Sequence, residues 1–533
     1  MYERFSLRKR SILIFVLLFS LSSETAFSAE PGVGEKEKSS ADWMRAGREA
    51  AQHAARKEPL STPAKNIILF IGDGMGISTV TATRILEGQL RGESGEENIL
   101  SFETFPYTAL IKTYNTDQQT ADSAGTMTAL MTGVKTRAGV IGMGPELARG
   151  ATENLASFQL KSLLEHAEAS GRSTGIVTTT RITHATPAAC YAHSSERNWE
   201  SDADLPAAAQ AKDIPDIARQ LIEFPARAQA RGSASDGIEV ALGGGREAFH
   251  PGSTVGWGGG RAGKRRDGRN LTREWLQQEK SAYVSTAKDL AALDLAEVQH
   301  LLGLFSVSNM EYAHRRETEA AEEPSLPQMT QAALQILERN ERGYFLMVEG
   351  GRIDHAHHTG SAFLALHETL EFAEAVGVAL EQSDPEETLI LVTADHSHVM
   401  NMGGYSTRGN PILGVVRGND PHGNPKPELA RDREGRPYTT LNYGNGPGAS
   451  EKFPRLVEAD SEEAALTAQA PDYRQAAAVP LKKETHGGED VTLYATGPKS
   501  HIFHGVLEQN VVFHLIMEAL QMNTAEHSPV DKE

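Results

Sequence analysis

Tyr344-Phe-Leu-Met-Val-Glu349-Gly-Gly-Arg-Ile-Asp354-His355-Ala-His357-His358 joins a continuous apolar run to two carboxylates and three imidazoles. The apolar part, Tyr344–Val348, has the length and composition of a strand buried on both faces. A buried strand that ends in Glu and leads into Asp-x-x-x-His is hard to explain as packing. If Asp354 and His358 lie on a helix, they project from one face within reach of one cation. Nitrogen and oxygen ligands together suit zinc and related metals. A solvated polar loop is the competing reading of this stretch taken alone.

The same pattern recurs elsewhere in the chain. Asn66–Ile71 is apolar and runs into Gly72-Asp73-Gly74, and Thr388–Thr393 runs through Ala394 into Asp395-His396. Further strand candidates are Ser173–Val177, Ile238–Leu242 and Val491–Ala495. Helix candidates are Ala41–Lys57, Leu155–Ala169, Asp213–Glu223, Gln328–Glu338 and Leu364–Leu380. Apolar strands alternating with helices predict an α/β fold: a large, mostly parallel sheet covered by helices on both faces. Ligands of such sheets bind beyond the carboxyl ends of the strands, and three strands here deliver metal-type side chains to that edge. Between Gly403 and about Glu484 the chain turns rich in Gly, Pro and Asn, which predicts an inserted, loop-rich, crown-like subdomain. Gly256-Trp-Gly-Gly-Gly260 lacks the strand-to-helix frame of a phosphate cradle and reads as a surface loop.

The organisation expected from these signals has six parts. Residues 1–28 form a signal peptide, and 29–60 a flexible leader with a helical arm. Residues 61–403 form the core, 404–484 the crown-like insert, 485–525 the rest of the core and 526–533 a polar tail. The signal peptide is read from basic Arg8-Lys9-Arg10, the apolar Ile12–Leu21 and small residues before Ala29. Its apolar stretch is short for a bilayer span, and the polar tail argues against a lipid anchor. Export to the periplasm or beyond follows, with no membrane anchor after processing. Cys190 is the sole cysteine, so no internal disulfide can form. Removing residues 1–28 takes away four basic and two acidic side chains and moves the formal charge from −19 to −21. Such an acidic surface disfavours nonspecific nucleic-acid binding. An anionic substrate then needs a strongly positive site.

Thr120-Ala-Asp122-Ser123-Ala-Gly-Thr-Met places a serine just before small and apolar residues compatible with a helix. At a helix N-terminus its alkoxide, or an attached phosphoryl group, would be favoured by free amides and the macrodipole. Simple capping by Asp122 or Ser123 is the alternative. Taken in order, Ile71-Gly-Asp73-Gly-Met-Gly, Asp122-Ser123-Ala, His184-Ala-Thr186-Pro-Ala, Glu349 to His358, Thr393-Ala-Asp395-His396 and Glu484-Thr-His486-Gly-Gly-Glu-Asp490 resemble the alkaline phosphatase family, in its animal-type branch. The likeness runs from about residue 41 to 520 and includes Gly243-Gly-Gly-Arg246 and Tyr443 to Gly448.

That resemblance implies hydrolysis of phosphate monoesters through a phosphoserine at Ser123, at a site of two Zn²⁺ and one Mg²⁺. It implies Asp354, His358 and His486 for one zinc, and Asp73, Asp395, His396 and Ser123 for the other. Asp73, Thr186 and Glu349 would hold magnesium, and Arg197 would grip phosphate in a bidentate fork. The implied ligand set and Arg197 leave the site net positive, as a dianion needs. Asp122 would orient Arg197. His184 stands where enteric bacterial enzymes carry Asp, which loosens the identity of the third metal. His355 fits a water-mediated phosphate contact and His357 a structural role. The animal-type calcium site has Glu directly after Gly-Leu-Phe, whereas Ser306 follows Phe305 here, so calcium is not expected. Tyr405 matches a tyrosine that reaches the neighbouring subunit, and the helix around Trp43–Ala54 resembles an embracing arm. Both imply a homodimer, with packing within its own chain as the alternative for Tyr405. The competing functions are a phosphodiesterase or nucleotide pyrophosphatase of the same superfamily, and an exported, non-catalytic metal- or phosphate-binding protein.

Overall fold

The structure is a computed structural model and describes residues 39–522 except 233–234, 254–262, 319–321, 450–455 and 457–460. The signal peptide, residues 29–38 of the leader, the Gly256–Gly260 loop and the polar tail lie outside the described residues.

Apolar runs too short for helices form the sheet. In chain order its strands are β1 (Asn66–Ile71), β2 (Tyr107–Lys112), β3 (Ser173–Arg181), β4 (Val240–Gly244), β5 (Ser281–Val284), β6 (His300–Leu304), β7 (Tyr344–Glu349) and β8 (Thr388–Thr393). Five further strands follow: β9 (Ser397–His398), β10 (Met400–Met402), β11 (Leu441–Gly446), β12 (Ala477–Pro480) and β13 (His486–Gly487). Then come β14 (Val491–Thr496) and β15 (Gly505–Glu508). Ten strands make the central sheet in the order β15-β2-β14-β8-β1-β7-β3-β4-β6-β5. Every position of β1, β4, β6, β7 and β8 is buried, which requires cover on both faces and explains their unbroken apolar sequences. Helices Leu326–Leu337 and Ala362–Gln382 pack on each other, the first also against β3.

The sheet is mostly parallel, as expected, with one departure. β14 runs antiparallel to both neighbours, β2 and β8. Strand direction is decided by the connection and not by the apolar run itself. The stretch expected as one helix over Leu155–Ala169 is instead a 3₁₀ turn, Leu155–Phe158, and a helix, Leu163–Ala169. Ser162 and Glu165 form a capping box that starts the second piece afresh. The helix Ser40–Arg56 begins with a Ser39–Asp42 capping box and has no buried residue.

Residues 400–480 contribute a separate three-stranded sheet, β10-β11-β12. The chain enters and leaves this region through a two-residue ladder in which His398 pairs with His486 and Ser397 with Gly487. That ladder brings two histidine-bearing segments, far apart in sequence, onto one spot.

Beside the amino ends of β3 and β4, buried Glu168 and half-buried Glu239 form an acid pair away from the carboxyl edge. Thr174 Oγ1 donates to Glu168 at 2.5 Å and the Thr174 amide to Glu239 at 2.6 Å. Burial lifts the Glu168 pKa to about 7 and, with Glu168 beside it, holds Glu239 well above the carboxylate range. A folded pKa above the unfolded one gives stability that is complete below about 4.5 and lost as pH rises through about 7. Glu168→Gln should therefore raise the thermal midpoint at pH 8, on the order of 2 °C, and give no gain at pH 4.5; equal effects at both pH values would refute this.

Candidate metal centre

The strand register assembles the site. β1 lies between β7 and β8, and Ile71 pairs with Glu349 on one side and Thr393 on the other. Asp73, Glu349 and Asp395-His396 therefore leave the sheet side by side. The turn after β1 needs glycine: Gly74 has φ +71°, and a Cβ there would sit 2.3 Å from the His398 ring. Its amide donates to Asp395 Oδ1 at 3.1 Å.

Asp354 and His358 share a face of the helix Arg352–His358, and His486 arrives through the β9–β13 ladder. The three close a triangle: His358 Nε2 to His486 Nε2 is 3.2 Å, His358 Nε2 to Asp354 Oδ1 is 3.4 Å and His486 Nε2 to Asp354 Oδ1 is 3.3 Å. Tetrahedral zinc with bonds of about 2.0–2.1 Å has ligand–ligand edges of about 3.3 Å. His358 Nδ1 lies 2.7 Å from the Glu484 carbonyl and His486 Nδ1 2.7 Å from the Ala121 carbonyl. Each Nδ1 carries its proton there, so both Nε2 lone pairs face one another and the carboxylate. Such a contact is repulsive unless a cation sits between them.

A second group surrounds His396. Its Nδ1 is committed to the Ser397 carbonyl at 3.2 Å, while Nε2 lies 3.4 Å from Asp73 Oδ1, 3.4 Å from Asp395 Oδ2 and 3.1 Å from Ser123 Oγ. Ser123 opens the buried helix Ser123–Thr132. Asp122 is its N-cap and accepts from the Gly125 amide, which leaves the serine hydroxyl for the site.

A third group shares Asp73, whose Oδ2 is 3.4 Å from Thr186 Oγ1. Thr178 donates to Glu349 Oε2, and so does Thr180 at 3.1 Å. Ligand atoms of Asp73, Glu349 and His184 lie within 4.8 Å of one another. Asp73 Oδ1 and Glu349 Oε1 are buried without a hydrogen-bond partner. Burial, then the neighbouring Asp395, Asp354 and Glu349, push Asp73 well above the carboxylate range; burial also raises Asp395 and lifts Glu349 to about 7. Asp354 runs the other way: despite its burial, His358 and His398 hold it low. Buried carboxylates in such numbers fit divalent cations, and the oxygen-rich third group fits a hard ion.

The anion-binding side is equally well defined. Arg197 Nη1 donates to Asp122 Oδ2 at 3.0 Å and Nη2 to His184 Nε2 at 3.1 Å. Burial opposes ionisation of Asp122, yet Arg197 and the Gly125 and Gly139 amides keep its pKa low. His355 and His184 rings meet edge-on, 5.6 Å between centroids. His357 is fully buried between Thr79 Oγ1 at 3.0 Å and Tyr443 Oη at 2.8 Å, a packing position. Tyr405 is not packed within its own chain: it is 96 % exposed.

Sequence reasoning missed His398 and Glu484. His398 Nε2 lies 2.7 Å from Asp354 Oδ1 and Nδ1 2.6 Å from Glu484 Oε2. Burial opposes its charge, but Glu484 and then Asp354 raise its pKa to about 10. With both nitrogens committed to carboxylates, His398 has no lone pair for a metal and instead orients Asp354. The only hint was its place two residues after His396.

A family model described as alkaline phosphatase matches residues 64–522. The chain belongs to the alkaline phosphatase family. It is 43 % identical over 497 residues to the tissue-nonspecific alkaline phosphatase isozyme of Gallus gallus, covering 91 % of this chain and 90 % of the relative. It is 44 % identical over 464 residues to alkaline phosphatase of Gadus morhua, covering 86 % and 91 %. Among solved structures it is similar to Thermus thermophilus alkaline phosphatase, with TM-score 0.61, 24 % identity and coverage of 88 % and 94 %. The alkaline phosphatase from the Antarctic bacterium TAB5 gives TM-score 0.57, 23 % identity and coverage of 87 % and 100 %. Those two likenesses concern the fold. As an alkaline phosphatase by family, the chain is a metal-dependent phosphomonoester hydrolase. His398→Ala should weaken metal retention by about 10–100-fold, read by metal analysis during dialysis against chelator; parental retention would show that Asp354 needs no such support.

Proposed function

We propose that Ser123 is the nucleophile of this alkaline phosphatase and carries the phosphoryl group as phosphoserine. The observation behind this reading is that Ser123 Oγ lies 3.1 Å from His396 Nε2, which also faces Asp73 and Asp395, beside the closed triangle of Asp354, His358 and His486. Asp354, His358 and His486 would hold one zinc, Asp73, Asp395 and His396 the other, and Asp73, Thr186 and Glu349 a magnesium ion. When bound, these ions supply positive charge that lowers hydroxyl pKa and offsets charge on the departing oxygen.

The chain's own groups do the rest. Arg197 grips two phosphoryl oxygens, held in plane by Asp122. Ser123 opens the helix Ser123–Thr132, whose N-terminal dipole would favour negative charge developing on Ser123 Oγ. Ser123 Oγ forms its bond to phosphorus as the ester oxygen leaves opposite it. Water then breaks the bond between phosphorus and Oγ, releasing phosphate and restoring the serine. A monoester dianion suits Arg197 and the third ligand group better than a diester does. Ser123→Ala should lower turnover of 4-nitrophenyl phosphate by several orders of magnitude with zinc content unchanged, and the parent should prefer it to the bis-ester. Parental turnover in the variant rejects the nucleophile; preference for the bis-ester favours the phosphodiesterase reading.

Tyr405 and the helix Ser40–Arg56 support a symmetric dimer. A lone helix of this length is marginal in water unless packed, and among the described residues it has no buried position, with Trp43 and Met44 more than half exposed. A second copy of this chain is its partner in this reading. Export by the signal peptide completes the proposal, and no helix among the described residues is long and apolar enough to cross a membrane. Sedimentation should give a dimer at micromolar protein, and loss of residues 39–57 should weaken it; a parent that sediments only as monomer contradicts the assembly.

A further inference from the structure

The helix Arg352–His358 presents more than its metal-facing pair. Arg352 and His355, three residues apart, are neighbours on the same helix. Arg352 Nη1 lies 3.1 Å from His355 Nδ1. A guanidinium can only donate, so Nδ1 accepts and the proton of the neutral ring resides on Nε2. His184 repeats the device: Arg197 donates to its Nε2, leaving Nδ1 as the N–H. Two arginines thus each lock one of two imidazoles that touch edge to face.

Arg352 is itself held firmly. Its guanidinium lies 3.8 Å over the ring of buried Tyr312, and its backbone amide donates to Thr179 Oγ1 at 3.1 Å. Its Nε is buried without a partner, so the hydrogen bond to His355 is a main polar outlet for this side chain.

We propose that Arg352 is a positioning residue for phosphate recognition: it fixes His355 as a neutral Nε2–H donor toward phosphoryl oxygens or the water between, without touching substrate itself. This rests on the phosphomonoesterase reading above.

The test uses the metal-loaded enzyme and a double-mutant cycle with Arg352→Met and His355→Ala, reading the inhibition constant of inorganic phosphate. Each single change should weaken phosphate about tenfold, and the double variant should be no weaker than His355→Ala alone. Additive losses would overturn the proposal, because Arg352 would then act by another route. Nitrogen-15 spectra of the parent decide the tautomer even if a variant misfolds, with the His355 signals assigned by their loss in His355→Gln. A protonated Nε2 and bare Nδ1 support the inference; the reverse tautomer ends it. A parent that hydrolyses no monoester retires the function itself, whereas an active parent with an additive cycle retires only this role for Arg352.

Discussion

Four carboxylates, Asp73, Glu349, Asp354 and Asp395, are buried together at the carboxyl edge of one sheet, and that concentration of negative charge dominates the molecule. Burying an ionised carboxylate without compensation costs several kcal/mol or more. Asp354 has imidazoles around it, but Asp73 and Glu349 each keep a buried oxygen with no hydrogen-bond partner. Divalent cations are the chemical answer to such a site. Without them the edge would store repulsion, and metal binding here is also folding free energy.

Everything around the site serves that arrangement. Parallel register aligns β1, β7 and β8 so that their ends coincide, Gly74 lets the first turn pass under His398, and the β9–β13 ladder returns His486 to the same place. A layer of less conspicuous groups then sets proton positions. Backbone carbonyls of Glu484, Ala121 and Ser397 hold the Nδ1 protons of His358, His486 and His396, and two arginines do the corresponding work on His184 and His355. Each ligand or donor is useful because another group has already taken its second nitrogen.

Much of this was legible in the chain. β1 and β8 begin and end where their apolar runs do, because both faces are buried and a Gly or Ala precedes the acidic residue. The metal-type residues declared themselves by chemistry, since Asp-x-x-x-His and Asp-His at strand ends have few packing roles. The direction of β14 was not legible, being set by a connection of variable path. β2 escaped notice because it lies where the sheet is partly exposed and alternates, and β5 and β15 are only four residues long. His398, Glu484 and Arg352 act through another side chain, so nothing in their local sequence marks them. The exposure of Tyr405 likewise needed the fold.

The acidic surface and the buried carboxylates of the edge both repel an anionic ester, so the site can hold one only when cations fill it. Anomalous diffraction at the zinc absorption edge from crystals of the metal-loaded protein tests this most directly. The account requires one strong peak among Asp354, His358 and His486 and a second among Asp73, Asp395 and His396, beside Ser123. Full-occupancy crystals with no zinc signal within bonding distance of either group would contradict it.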